Sequence, residues 1–356
     1  MRNRYLDLLR AVATVRVVVY HATGWAALTV VFPAMSVMFA LAGSLMAASI
    51  DRSGPLAVER RLRRLLPSLW VLALVAVPSM LLTGLAWDWT VLYWAFPLQD
   101  PPANGWGSMA LSATWYLRDF LWFVLLSPVA LPLFRRMPRA VLAVPYAALA
   151  IITLAGTPVH PIVRDMALYG GAWLLGFAHH DGMLRRLSRR TLVAAAGSLA
   201  AAGAAWIVTH PGPRGYDLND VPLGNALWSA AFVLVVLGCA PVATAARPGR
   251  LLTLLNARAL TIYLWHVPVI VAVTKLGEAH GLPTRGWVGI GWRLTVVVAL
   301  VALAVLLVGW VEDVAADRPP RLIPGRPPRS APVSPAVPRT AVAAGNVRSV
   351  AETLRT

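Results

Sequence analysis

Ten apolar runs, each about as long as a membrane-spanning helix, determine what this chain of 356 residues can fold into. A bilayer core about 30 Å thick requires roughly 20 apolar residues per helix. Hydrophobic residues make up 58% of the chain and charged residues 13%, a combination that soluble domains do not show. The runs lie near 8–25, 29–50, 66–85, 115–134, 139–156, 164–180, 191–209, 223–246, 259–276 and 289–311. The sequence therefore predicts an all-α, polytopic membrane protein with about ten transmembrane helices.

The distribution of arginine predicts the orientation of these helices. With ten helices, both termini lie on the same side of the membrane. Loops on that side hold most of the arginines, within 2–10, 52–64, 135–139, 185–190 and 247–258. The opposite loops hold only Arg164, Arg214 and Arg285. The positive-inside rule therefore places both termini in the cytoplasm, and it explains the formal charge of +17 without a nucleic-acid partner.

Two segments fall outside the predicted membrane helices. Residues 86–113, on the outer side, are rich in aromatic residues, which suit either an interfacial belt or stacking against sugar faces. Residues 318–356 are rich in Pro and Arg and lack periodic apolar positions. We predict a membrane domain over 1–317 and a disordered cytoplasmic tail over 318–356.

Ionisable residues inside the predicted helices are the first candidates for function, because burying them in a membrane costs free energy. Arg10 and His21 are eleven residues apart in the first helix. At about 100° per residue they lie within roughly 20° of the same face and about 16 Å apart along the axis. An imidazole titrates near neutral pH and can act as a general base, although a single membrane His can also be a packed, hydrogen-bonded residue.

A cluster of arginines precedes the third apolar run, within the sequence RRLRRLLP at 60–67. Such a cluster can simply anchor the topology at the cytoplasmic surface. It can also bind phosphates, since guanidinium groups donate two parallel hydrogen bonds to them.

Taken together, these segments resemble acyltransferase family 3, the bacterial membrane O-acyltransferases. The family's first-helix signature, an Arg, ten residues and a His, is matched by Arg10 and His21 in RYLDLLRAVATVRVVVYH. Paired arginines before a hydrophobic pair and Pro resemble Arg61, Arg64 and Pro67. Two further elements are similar to the family's, namely Phe39, Leu41 and Gly43 in the second run, and Tyr263, His266 and Pro268 in YLWHVP.

The resemblance implies that the protein, in the bacterial cytoplasmic membrane, transfers an acyl group, commonly acetyl, from cytoplasmic acyl-CoA to a hydroxyl of a carbohydrate or glycosylated metabolite. It implies acyl-CoA as a co-substrate and no tightly bound cofactor or metal. His21 would be the catalytic base. The expected acyl-donor-binding residues are Arg10, Arg60, Arg61 and Arg64. The residues expected to line the cavity are Arg16, Trp115, Arg118, Tyr263 and His266.

One departure from the family concerns a carboxylate. Many members carry a Glu after a Trp-Ser-Leu segment, and here Trp115 and Leu117 align while the Glu position is Phe120. Asp119 is adjacent and lies at the predicted depth of His21, so it could orient that imidazole. Asp119 could equally form a salt bridge to a buried arginine, for example Arg16.

Two other functions fit the residues alone. A transporter or lipid flippase would use the same intramembrane charges as a substrate or proton path. The missing Glu would also suit a non-catalytic membrane scaffold. His266, near the middle of the ninth helix, can line the cavity or hydrogen-bond across helices.

Overall fold

The computed structural model describes residues 3–241, 249–284 and 286–324. The described chain is built from α-helices joined by short loops and 3-10 turns. The helices are α1 (Arg4–Thr23), α2 (Ala27–Val31), α3 (Ala34–Ser53), α4 (Leu56–Leu82), α5 (Gly105–Ala110), α6 (Trp115–Arg136), α7 (Pro138–Ala155), α8 (Pro161–His180), α9 (Met183–Arg186), α10 (Arg189–Thr209), α11 (Pro222–Gly238), α12 (Arg250–Ala257), α13 (Ala259–Ala279), α14 (Gly286–Val308) and α15 (Val311–Val314). The all-α prediction is confirmed.

Among the described residues, seven helical segments are long and apolar enough to cross a bilayer. They are α3 together with α2, α4, α6, α7, α10, α13 and α14. The other three predicted spans coincide with α1, α8 and α11. Charged residues interrupt α1 and α8, and α11 has 17 residues. The count of ten spans and the cytoplasmic termini therefore stay predictions.

Several predicted boundaries differ from the observed ones. The third run was predicted from residue 66, but α4 begins at Leu56 and includes the arginine cluster in its first turns. The run predicted to end at 246 ends with α11 at Gly238. The early start of α4 arises because hydropathy marks the apolar part of a helix, whereas backbone hydrogen bonding continues into polar turns.

The arginine cluster defines one end of the bundle, which we call the arginine end. There α3, α6 and α8 terminate together, because Arg135 donates hydrogen bonds to both Asp51 and Asp181. Asp51 also contacts His180 at 2.8 Å. We call the other end, where α1 finishes at Thr23 and α8 begins at Pro161, the far end.

Helices α3 and α8 form the closest packing in the core, and glycine permits it. A Cβ atom on Gly43 would lie 2.3 Å from the carbonyl oxygen of Trp173, and one on Gly176 would lie 2.1 Å from that of Ala40. Backbones this close leave no room for a side chain. Gly43 thus has a packing role in the Phe39, Leu41, Gly43 element.

We expect Gly43→Ala to destabilise the bundle by about 1–3 kcal/mol, because the added methyl group forces α3 away from α8. Thermal unfolding in a fixed detergent measures this change. Gly197→Ala is the matched control, since Gly197 is also helical and a Cβ there meets no atom within 4 Å. Equal midpoints for the two variants would contradict the packing role.

The C-terminal end of the described chain is tied to the start of α13. Arg258, fully buried, donates to Asp313 at 2.6 Å, and Glu312 accepts from the backbone N–H and the hydroxyl of Thr261. The backbone N–H of Arg321 also donates to Asp313. Of the tail predicted from residue 318, residues 325–356 lie outside the described residues.

Candidate active site

The inner face of α1 carries both residues of the Arg-ten-His spacing. Leu8, Val12 and Val15 are exposed and mark the outward face of this helix. His21 is nine residues from Val12, which places it about 180° away around the axis. Its side chain is exposed nevertheless. It lies near the last turn of α1, so its exposed part is at the far end of the bundle.

His21 contacts His266, which α13 holds in the interior. The Nδ1 atom of His21 lies 3.1 Å from Nε2 of His266, and the ring centroids are 4.9 Å apart. His266 is fully buried. The structure thus joins two predicted site residues whose separation in sequence is 245 positions.

The neighbouring carbonyl groups determine which nitrogen atoms carry protons. His266 Nδ1 lies 2.5 Å from the backbone oxygen of Tyr263, and an oxygen can only accept, so this nitrogen bears the hydrogen. In the neutral ring, Nε2 of His266 is then an acceptor, and His21 Nδ1 donates to it. His21 Nδ1 also lies 3.0 Å from the carbonyl of Val17. Both contacts leave the other nitrogen of His21, Nε2, with a lone pair able to take a proton.

A series of aromatic rings connects the histidine pair with the arginine end. Tyr263 lies 5.5 Å from His266 between ring centroids, and Tyr116 lies 4.9 Å from Tyr263. The charges of Arg10 and Arg61 act on Tyr116. The hydroxyl of Tyr263 donates to the carbonyl of Ala113, which fixes its ring against the segment before α6.

At the arginine end, Arg61 is the most enclosed member of the cluster. The charges of Arg10, Arg64 and Arg52 act on it, so four arginines from three helices lie close together. It donates to the Ser49 hydroxyl at 3.4 Å, and no described carboxylate pairs with it. Like charges held this close together form a site that favours an anion.

Other arginines of the predicted cluster lie on the surface of the bundle. Arg60 is exposed, and Arg63 pairs with Glu59 on the surface of α4. Arg52, which the sequence did not single out, joins the cluster because α3 ends where α4 begins.

Asp119 lies in a buried cluster around Arg118, and its charge also acts on Tyr263. One carboxylate oxygen of Asp119 accepts from Nε of Arg118 at 2.8 Å, and the other has no partner among the described residues. Arg118 also donates to Asp165 at 2.5 Å and to Asp100. The structure therefore does not bring Asp119 to His21. Its carboxylate pairs instead with the adjacent Arg118. This is the salt-bridge alternative, with Arg118 and not Arg16 as the partner.

The other residues predicted to line the cavity lie near the same rings. Trp115 stacks on Tyr169 with centroids 5.5 Å apart and planes 20° apart. Arg16 donates from Nε to the carbonyl of Leu28 and lies over the ring of Tyr20. Phe120, in the position of the family's Glu, packs against Trp173.

A loop at the far end is fastened to α1 next to His21. The hydroxyl of Tyr20 donates to Asp217 at 2.6 Å and accepts from Arg214 at 2.8 Å. Arg214 also donates to Asp220 and thereby lowers the pKa of that carboxyl. These hydrogen bonds hold residues 214–220 beside the last turn of α1, where His21 lies.

Tyr116, Tyr169 and Asp217 belong to the site although sequence reasoning did not select them. Tyr116 directly follows Trp115, so the aromatic pair WY was a usable signal. Nothing in the spacing of Tyr169 or Asp217 marks them, because they reach the site from other segments.

The comparison with protein families shows which family this chain belongs to. A family model described as an acyltransferase domain matches residues 3–309. The chain belongs to acyltransferase family 3. No curated protein matches the chain, and no solved structure matches it. The acyltransferase is therefore a multi-pass membrane enzyme, and membership of this family does not support the transporter or the scaffold alternative.

One group of possible metal ligands in this acyltransferase is occupied by an arginine. Ligand atoms of Asp51, His180 and Asp181 lie within 4.8 Å of one another at the arginine end. The guanidinium of Arg135 donates to both carboxylates, so a cation there would have to displace it.

Proposed function

We propose that this acyltransferase moves an acyl group, acetyl in the simplest case, from acyl-CoA bound at the arginine end to a hydroxyl of a carbohydrate-like acceptor at the far end. The observation that carries the proposal is the hydrogen-bond series from Tyr263 through His266 to His21, which leaves a basic nitrogen on the inward face that also bears Arg10. We place the arginine end in the cytoplasm and the protein in the bacterial cytoplasmic membrane, following the positive-inside rule.

The transfer step needs one base and one leaving group. His21 Nε2 takes the proton of the acceptor hydroxyl as its oxygen attacks the thioester carbonyl, and a tetrahedral oxyanion forms. The carbon–sulfur bond then breaks, the coenzyme A thiolate leaves, and the proton passes from His21 to that sulfur. The products are the O-acyl acceptor and coenzyme A.

The donor extends from the arginine cluster toward the histidine pair. Its phosphates would bind among Arg10, Arg61 and Arg64, where no described carboxylate competes with them for Arg61. Its pantetheine arm would run past Tyr116 and Tyr263, the buried rings that lie between the arginine cluster and His266.

The proposal is tested with purified protein in nanodiscs, radiolabelled acetyl-CoA and a panel of methyl glycosides. We expect labelled O-acetyl glycoside to form in proportion to enzyme. Release of free acetate without any acylated acceptor, at every glycoside tested, would contradict an acceptor of this class. Retention of label on the protein after removal of acceptor would instead indicate an acyl-enzyme.

Arg61→Gln is expected to raise KM for acetyl-CoA about tenfold with a smaller change in kcat, because one charge-assisted phosphate contact is lost. Steady-state kinetics at fixed salt measure this. Arg63→Gln is the control on the same helix, since Arg63 is exposed and already pairs with Glu59. A matching KM increase in both variants would show that Arg61 contributes only to the general positive field.

His266→Leu is expected to lower kcat by about tenfold to a hundredfold while KM for acetyl-CoA stays the same, because His21 loses the acceptor that orients it. His266→Gln should recover part of the loss, since a side-chain carbonyl can accept from His21 Nδ1. Equal loss in both variants would point to packing alone as the role of His266.

A further inference from the structure

A small polar pocket lies beside α1 at the far end, and the proposed transfer step leaves it without a role. A partly open space of about 10 Å³ lies there between α1, α3, α8 and α11. That volume holds roughly one water-sized group. The lining includes Arg16, Ser36, Tyr169, Asn219 and Asn225, and none of its described lining residues is acidic.

Arg16 brings to this pocket a charge that no described carboxylate pairs with directly. Nε of its guanidinium donates to the carbonyl of Leu28 at 3.0 Å, and Cζ lies 5.0 Å from the ring centroid of Tyr20. Among the described residues, neither terminal nitrogen has a hydrogen-bond partner. The nearest carboxylate whose charge acts on it, Asp217, is already held by Tyr20 and Arg214. Four N–H donors are therefore available to a ligand.

Two further donors in the pocket also lack partners. Ser36 is 2% exposed, and no described residue hydrogen-bonds its hydroxyl. Asn225 is 5% exposed, and its Oδ1 accepts from Ser229 at 2.8 Å, which leaves the amide NH₂ free toward the pocket. Ser36 and Asn225 are buried and Arg16 is partly buried, and their donor atoms toward this space have no protein partner among the described residues. A ligand that supplies acceptor atoms would satisfy all three groups in one small space.

The pocket is close enough to His21 for one acceptor molecule to reach both. Arg16 and His21 lie about 140° apart around α1. Cζ of Arg16 is nevertheless 5.0 Å from the ring centroid of Tyr20, which is 5.2 Å from that of His21, so the guanidinium and the imidazole are at most about 10 Å apart. Substituents on opposite sides of a sugar ring can span that distance.

From these observations we infer that the acceptor carries an oxyanion, of the carboxylate or phosphate type, which binds Arg16, Ser36 and Asn225 while a hydroxyl of the same molecule meets His21. A carboxylate or phosphate can accept from all three groups, whereas a neutral hydroxymethyl group in the same position would satisfy fewer of them. Its small size admits the oxygens of an anion but not a ring. This inference rests on the proposed function for the identity of the acceptor hydroxyl.

Two probes that differ at one carbon test the inference, methyl β-D-glucuronide and methyl β-D-glucoside. Calorimetry in nanodiscs should show the glucuronide binding about 10- to 100-fold more tightly than the glucoside. Arg16→Gln should remove that preference. Lys275→Gln is the control. Lys275 is an exposed cation near the end of α13, and it already pairs with Glu278. Equal binding of both probes to the wild-type protein would overturn the inference.

A second variant keeps the test valid if Arg16→Gln does not fold. Asn225→Asp changes no heavy-atom shape but puts a carboxylate beside Arg16, so glucuronide binding should fall at least tenfold while glucoside binding stays unchanged. Loss of glucuronide and glucoside binding together would show that the substitution disturbs the fold, and it would count against the inference.

Inorganic phosphate is the third probe, and it separates the two sources of an oxyanion. Phosphate that binds in an Arg16-dependent manner, without glucuronide preference, would show a site for a free anion and would overturn the assignment to the acceptor. The binding data also separate this inference from the proposed function. If His21→Ala retained full transfer, the proposed function would fail, whereas an Arg16-dependent glucuronide preference would still stand.

Discussion

His21→Ala is expected to lower kcat for acyl transfer by about 10³-fold, because the acceptor hydroxyl loses its general base. The binding of acetyl-CoA should stay unchanged, since the donor phosphates are proposed to lie at the arginine end, about 16 Å from His21 along α1. Single-turnover kinetics with radiolabelled acetyl-CoA measure the chemical step, and equilibrium binding of coenzyme A measures the donor site.

The control for this variant is Thr23→Ala at the end of the same helix. The Thr23 hydroxyl donates to the carbonyl of Val19 and accepts from the backbone N–H of Trp25, and it contacts no site residue. Full activity in Thr23→Ala beside the loss in His21→Ala would assign the effect to the imidazole. If His21→Ala kept wild-type kcat with a correctly folded protein, another group would have to be the base.

Arg118→Leu is expected to lower the free energy of unfolding by about 3–5 kcal/mol, since it leaves buried carboxylates without their cation. Arg118 is 1% exposed and pairs with Asp100, Asp119 and Asp165. It also fastens the aromatic loop of the far end to α6 and α8 through Asp100. Urea or thermal unfolding in one detergent measures the change.

Arg164→Leu is the matched control for this cluster. Arg164 pairs with Asp165 at 3.2 Å, but its side chain is half exposed, so its loss should cost at most about 1 kcal/mol. If Arg118→Leu lowered the free energy of unfolding as little as Arg164→Leu does, the cluster around Arg118 would not be what supports the loop.

Hydropathy was enough to predict the class of fold and the positions of most helices. Each predicted run coincides with a helix, since a chain of this composition can satisfy its backbone in lipid only by hydrogen-bonding within helices. Hydropathy could not predict where α4 begins, because its first turns at Leu56 carry arginines and lie outside the apolar run.

The candidate site was predictable only where its residues share one helix. The spacing of Arg10 and His21 gives their common face directly. The contact between His21 and His266 depends on how α13 packs against α1, which no spacing within either helix encodes. For Asp119, depth alone suggested His21 as a neighbour, whereas the side chain of the adjacent Arg118 reaches it first. The free donors of Arg16, Ser36 and Asn225 likewise come from three helices.

The most direct test of transfer across the bundle uses the single cysteine to define orientation in sealed vesicles. Cys239 is exposed and follows α11 at the arginine end, so a membrane-impermeant maleimide labels it only when that end faces outward. With acetyl-CoA added outside and acceptor enclosed inside, product should form in proportion to the maleimide-accessible fraction. Product that forms only when acetyl-CoA is on the side opposite Cys239, or only when both substrates share one side, would contradict a path from the arginine cluster to His21.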